Sequence, residues 1–175
     1  EWDLYTCCSA QGVRGLFNAW TNAVTTDANG LSVNLLINHL SKDAIVRSWL
    51  PHEGRLEITP SRDGAVGARV PSWLDERTLE ITIDGSPANP SFLNSTRAEV
   101  ANVSAGSKVV YRFPLCKTKT QEVVLGTEYT ADWVGDTVMA ISPVGSRAPL
   151  YRRNRQAGKT ISAVEKTIPD IAFKL

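Results

Sequence analysis

A chain of 175 residues with 42% apolar content is long enough for one domain with a real core, or for one domain and a fragment of another, and is too apolar to be disordered. Its 19 basic and 18 acidic residues leave a formal charge of +1 without long runs of either sign, so the electrostatics give no support to a nucleic-acid partner. No stretch approaches the roughly 18 apolar residues of a membrane span, and Glu1-Trp2-Asp3 does not resemble a secretory signal, so the chain reads as soluble, with no membrane partner and an undetermined compartment.

The chain opens on Cys7 and Cys8, side by side in Asp3-Leu4-Tyr5-Thr6-Cys7-Cys8-Ser9-Ala10-Gln11-Gly12. They stand where a loop enters a helix, because Val13, Leu16, Phe17, Trp20 and Val24 then recur at helical spacing as one apolar stripe. Ser9 or Thr6 can cap its start, Arg14 is its only charge, and Asp27-Ala28-Asn29-Gly30 supplies the turn that ends it. Such a stripe predicts a helix packed on both sides.

From Gly30 onward the period changes to two. Leu31, Val33, Leu35 and Ile37 alternate with Ser32, Asn34, Leu36 and Asn38, the pattern of a half-buried strand. Ala44 to Leu50, Arg55 to Thr59 and Ala65 to Val70 follow as a meander across the turns Pro51-His52-Glu53-Gly54 and Ser61-Arg62-Asp63-Gly64. Leu79 to Ile83 runs into Asp84-Gly85, Ala98 to Val103 ends at Ala105-Gly106, and Lys108 to Leu115 is β-branched and aromatic. Gln121 to Leu125, Glu128 to Trp133 and Thr137 to Ser142 add three more short strands. Regular short strands without intervening helices predict a mainly β fold: a helix segment over residues 1–29, an antiparallel β-sandwich over 30–151, and a polar tail or edge strand over 152–175.

The cysteines carry the chemistry. A helix start stabilises thiolate, the form of cysteine that binds metal or attacks an electrophile. Two adjacent cysteines with Cys116 far away do not make a disulfide framework, which favours reduced thiols or metal ligation. The bland alternative is two small buried side chains. Zinc takes four ligands in a tetrahedron, and an adjacent pair supplies only two. His39 and His52 lie in strand or turn contexts without metal-binding spacing, so packing or surface roles are their default, and Glu1 and Asp3 sit too near a frayed terminus to be favoured as ligands. Phosphate-binding and nucleophile-elbow motifs are lacking, which argues against nucleotide chemistry.

Asp132-Trp133-Val134-Gly135-Asp136 places carboxylates around an aromatic, an arrangement suited either to a sugar or, as the favoured reading, to a hairpin turn. Trp49, Trp73 and Trp133 fall in β segments, where core packing is commoner than a carbohydrate platform. Asn94-Ser95-Thr96 and Asn102-Val103-Ser104 match glycosylation acceptors, a pattern frequent by chance.

The run from Asp3 to Leu16, followed by a strand such as Leu31 to Asn38, resembles glycoside hydrolase family 127, the zinc-dependent β-L-arabinofuranosidases. Ala68-Arg69-Val70-Pro71-Ser72-Trp73, Ile83-Asp84-Gly85 and Ala105-Gly106-Ser107-Lys108-Val109-Val110-Tyr111-Arg112-Phe113-Pro114-Leu115 resemble strands of that family's β-sandwich, in the family's order. The resemblance covers roughly residues 3–151 and is most specific at the cysteine pair. It implies that the helix is the last of an (α/α)6 barrel, that the sandwich packs against the rest of that barrel, and that the chain is a carboxy-terminal portion of a retaining glycosidase. Cys7 is then nucleophile and zinc ligand, Cys8 a zinc ligand, and the substrate an arabinofuranoside-like carbohydrate. The family's remaining zinc ligands and acid/base glutamate belong upstream of the pair, so the chain alone is not expected to be active. Characterised members carry a Pro-Pro-Asn type sequence where this chain has Ser9-Ala10-Gln11, while Arg14 sits where the family's arginine does. The rival reading is a non-catalytic carbohydrate-binding or structural module, and a self-contained small zinc protein ranks last.

Overall fold

A computed structural model describes residues 6–28 and 30–144, with side chains from Ala10 onward. The expected segment 152–175 lies outside the described residues. Helix α1 spans Thr6–Thr21. It stops where polar side chains take over its last carbonyls: Asn22 donates from both its backbone N–H and its side-chain amide to the Asn18 carbonyl, the latter at 2.8 Å, and Thr21 Oγ1 donates to the Phe17 carbonyl at 3.0 Å. Val24, read from the sequence as part of the helical stripe, therefore lies in strand β1 (Val24–Thr26). Its β-branched run pairs antiparallel with β2 (Gly30–Val33).

The alternation that runs to Ile37 in sequence yields a strand only to Val33. Asn34 and Leu35 turn their backbone N–H groups onto the Ala23 carbonyl at 2.8 and 3.3 Å, which ends the ladder. After β3 (His39–Leu40) come β4 (Ala44–Ser48), β5 (Arg55–Pro60), β6 (Gly64–Arg69), a 3₁₀ turn at Glu76–Thr78, β7 (Glu80–Ile83), β8 (Ser86–Ala88), β9 (Ser91–Leu93), β10 (Arg97–Val103) and β11 (Val109–Arg112).

These strands make two sheets, ordered β1-β2-β6-β10-β9 and β3-β4-β5-β11-β7-β8. All pairings are antiparallel except one: β2 runs parallel to β6, because the chain between them crosses into the second sheet and returns. Alternate residues point inward from both sheets. Leu31, Val33, Val66, Ala68, Ala98, Val100 and Val103 of the first meet Ala44, Val46, Leu56, Ile58, Ile81, Val109 and Tyr111 of the second in one buried cluster. The Tyr111 hydroxyl reaches the carbonyls of Val66 and Ala98 across the layers, at 3.1 and 3.2 Å. Burial pushes its phenol well above the ordinary tyrosine range.

The last three strands, β12 (Lys117–Val124), β13 (Thr127–Val134) and β14 (Thr137–Ser142), form a separate antiparallel sheet in chain order. No residue of β12 is buried. Among the described residues no helix is long and apolar enough to cross a membrane.

Candidate functional site

Cys7 and Cys8 lie in the first turn of α1, where unsatisfied backbone N–H groups and the helix dipole favour a thiolate. Their side chains fall outside the described ones. Further along, Val13, Leu16, Phe17 and Trp20 are 67, 74, 63 and 43% exposed, so the stripe that predicts burial on both sides is largely open among the described residues. Arg14 is also exposed. The helix is held at its far end instead. Trp20 packs against His39 of β3, with ring centroids 4.6 Å apart and the rings tilted by 52°, and the Asn34 amide donates to the Asn22 carbonyl at 2.9 Å and to Thr25 Oγ1 at 3.0 Å.

Asn34 in turn anchors a polar network on the outer face of the first sheet. Arg97 donates to its side-chain oxygen at 2.8 Å and to Ser32 Oγ. To do so it passes over Gly67, where an added Cβ would lie 3.2 Å from the Arg97 Cδ. A glycine is the residue that leaves this path open.

The second sheet carries a denser charge cluster on its outer face. Glu57, 3% exposed, is met by Arg47 and Arg55, each at 3.1 Å, and by Lys108 at 3.5 Å. Burial alone would raise its carboxyl, but the Lys108 charge and the hydrogen bonds from Arg47, Arg55 and Lys108 outweigh that and hold it below the usual glutamate range. Arg55 also lies 4.0 Å over the Trp49 ring. Trp49 thus packs, as sequence suggested.

The third sheet joins the sandwich through Trp73 and the β13–β14 turn. The Trp73 indole donates to Asp136 Oδ1 at 2.8 Å, its ring lies 6.0 Å from that of Phe113, and Gly135 presses against it so closely that a Cβ there would lie 2.9 Å from the Trp73 Cζ2. Gly135 also has φ 58°, a conformation that favours glycine, and its N–H donates to the Cys116 carbonyl at 2.7 Å. The Gly135-Asp136 hairpin turn is therefore what the sequence favoured, while Trp133 on the same sheet donates to Thr120 Oγ1 at 2.9 Å.

Beside this joint opens a cleft of about 600 Å³, walled by Leu35, Leu50, Trp73 and Val134 and edged by Asn38, His52, Arg69 and Asp136. Sequence reading missed it. Its residues come from four separate stretches, and Trp73 and Asp136 are 63 positions apart.

Among the described residues no three His, Cys, Asp or Glu side chains come together to hold a metal ion. His39 is buried under Trp20, and desolvation pulls its imidazole below the ordinary value. His52 is exposed at the cleft. The described side chains therefore do not form a zinc site by themselves.

Comparison with protein-family models and with curated sequences returns no match. Solved structures do match. One titled as a glycoside hydrolase superposes on 76% of this chain with a TM-score of 0.57 at 20% identity, over 25% of its own length. A glycoside hydrolase family 127 β-L-arabinofuranosidase from Geobacillus stearothermophilus T6 superposes on 78% of this chain with a TM-score of 0.56 at 19% identity, over 24% of its own length. The chain thus has the fold of a segment of these proteins and spans about a quarter of their length.

Proposed function

We propose that this chain is part of a retaining glycosidase acting on arabinofuranoside-like carbohydrates, with Cys7 as nucleophile. The observation that carries the reading is the fold shared with a family 127 β-L-arabinofuranosidase over 78% of the chain, in a chain whose Cys7-Cys8 pair lies in the first turn of a helix. In this reading the Cys7 thiolate, favoured by the α1 amino terminus, attacks the anomeric carbon. A carboxylic acid from outside the described residues protonates the leaving oxygen, and water later releases the sugar with retention. Cys7 and Cys8 would hold zinc together with donors from outside the described residues. Bound zinc keeps a thiol deprotonated and fixed in orientation.

The same reading gives α1 its cover. The exposed residues Val13, Leu16 and Phe17 are the face that a catalytic barrel would bury, and the matched structures are about four times as long as the segment they share with this chain.

The test is made on the complete enzyme this reading supposes. Cys7→Ala is expected to abolish hydrolysis of an aryl arabinofuranoside by at least about a thousandfold, and Cys8→Ser to remove about one zinc per chain by elemental analysis. Unchanged turnover in Cys7→Ala would overturn the nucleophile, and hydrolysis by the 175-residue chain alone would contradict the need for an outside acid. A non-catalytic module predicts ordinary thiols and no metal in the same assays.

A further inference from the structure

We propose that the cleft between the sandwich and the third sheet binds an acidic sugar residue, a uronic acid, with its carboxylate on Arg69 and its ring against the wall of Leu35, Leu50 and Trp73. That the ligand is a sugar rests on the glycosidase reading; that it is acidic rests on Arg69, which has no ion pair among the described residues.

Arg69 ends β6 at the edge of the cleft, exposed and without an ion pair or hydrogen bond to any described side chain. Its direct cross-strand partner on β10 is Arg97, so no carboxylate stands directly opposite it on that strand. The Arg97 donors go to the neutral acceptors Ser32 and Asn34. Two carboxylates are near enough to be considered. Glu99 lies on the same face opposite Gly67, and Asp136 shares the cleft but gives Oδ1 to the Trp73 indole. Neither forms an ion pair with Arg69 among the described residues. A planar, forked donor left open in this way matches a carboxylate in two-point geometry.

The cleft's volume and walls narrow the choice. At about 600 Å³ it is far larger than a lone carboxylate or phosphate needs, and it falls in the range of sites that enclose a small organic ligand. Aliphatic and indole walls suit the C–H faces of a sugar ring, and Asn38, whose side-chain oxygen already accepts from the Ser48 N–H at 2.7 Å, keeps its amide donors for hydroxyls. His52 also lines the cleft.

The experiment is calorimetric titration of the 175-residue chain with trigalacturonate, with a neutral arabinofuranose trimer, and with acetate and inorganic phosphate alone. Trigalacturonate should bind roughly tenfold or more tighter than the neutral trimer, and Arg69→Gln should remove that advantage, while Arg69→Lys retains part of it. Because Arg69 is exposed, unchanged circular dichroism is expected in both variants. Equal binding of the two trimers, insensitivity to Arg69→Gln, or no binding of trigalacturonate overturns the site. Acetate or phosphate binding as tightly as trigalacturonate overturns the sugar. Repeating the titration on Cys7→Ala separates this proposal from the catalytic one, since uronate binding there should be unchanged whatever becomes of hydrolysis.

Discussion

The sandwich and helix α1 place their apolar residues on opposite sides of the surface. In the sandwich, Leu56, Ile58, Val66 and Val109 are at most 1% exposed, sealed between two sheets. In α1, Leu16 and Phe17 are 74 and 63% exposed, on a helix that is fastened among the described residues where Trp20 meets His39 and Asn22 meets Asn34. The difference teaches that the same apolar residue types are spent in opposite ways in the two regions. The sandwich seals its own core, whereas the apolar face of the helix is open among the described residues.

Truncation at matched positions breaks this comparison most sharply. Ile58→Ala should cost about 3 kcal/mol, because it empties space that neighbouring strands cannot refill. Leu16→Ala should cost less than about 0.5 kcal/mol in the same chain, having almost no packing to lose. Urea denaturation of both variants measures the contrast. A large loss for Leu16→Ala would mean that α1 is covered within this chain. If α1 does pack on a barrel, the same Leu16→Ala change should become costly in the complete enzyme.

The next effect lies on the outer face of the second sheet. Glu57 has its carboxyl held below the ordinary value of 4.5. Its contribution to stability is therefore present in full above pH 4.5 and is lost as pH falls from there through the folded value. Thermal unfolding between pH 6 and 3 should show this loss, and Glu57→Gln should flatten that part of the profile while lowering stability at pH 6. An unaltered acid limb would show that other carboxylates govern it.

A third prediction concerns how the small sheet is attached. Asp136→Ala removes the acceptor of the Trp73 indole and should cost about 1 kcal/mol. Hydrogen exchange should speed up in β13 and β14 and stay slow in β5, β6 and β11. Uniform acceleration would mean that the two parts unfold together.

Much of this was legible from local pattern. The spans Ala44–Ser48, Arg55–Pro60 and Thr137–Ser142 follow from alternation closed by turn residues, and the Asp84-Gly85 turn is fixed by an Asp84 side chain that accepts from the Lys108 N–H at 2.8 Å. What escaped was short or long in range. β3 and β8 have two and three residues, too few to carry a period, and Lys117 to Thr120 of β12 lack apolar alternation because both of that strand's faces are open to solvent. The parallel pairing of β2 with β6 depends on where a crossover returns, which no window of residues records. The same holds for the site: a cysteine pair at a helix start is visible locally, whereas a cleft assembled by Asn38, Arg69, Trp73 and Asp136 exists only once the strands are in place.

The smallest expected effect acts at the joint between the two regions compared. His39 is buried beneath Trp20, its Nδ1 has no hydrogen-bond partner among the described residues, and desolvation lowers its pKa from 6.5. A histidine favoured as neutral in the folded chain binds its proton more readily when unfolded. Stability is thus unaffected well above pH 6.5 and declines as pH falls from there towards the folded value. Because the ring also carries Trp20, the decline should appear first as release of α1: tryptophan emission should shift red between pH 7 and 5 before the strands lose far-ultraviolet signal. His39→Phe keeps an aromatic ring under Trp20 and removes the titration, so the shift should disappear in that variant and persist in His52→Phe, whose imidazole is exposed. A shift that survives His39→Phe would place the acid response elsewhere and leave Asn22 and Asn34 as the fastening that matters.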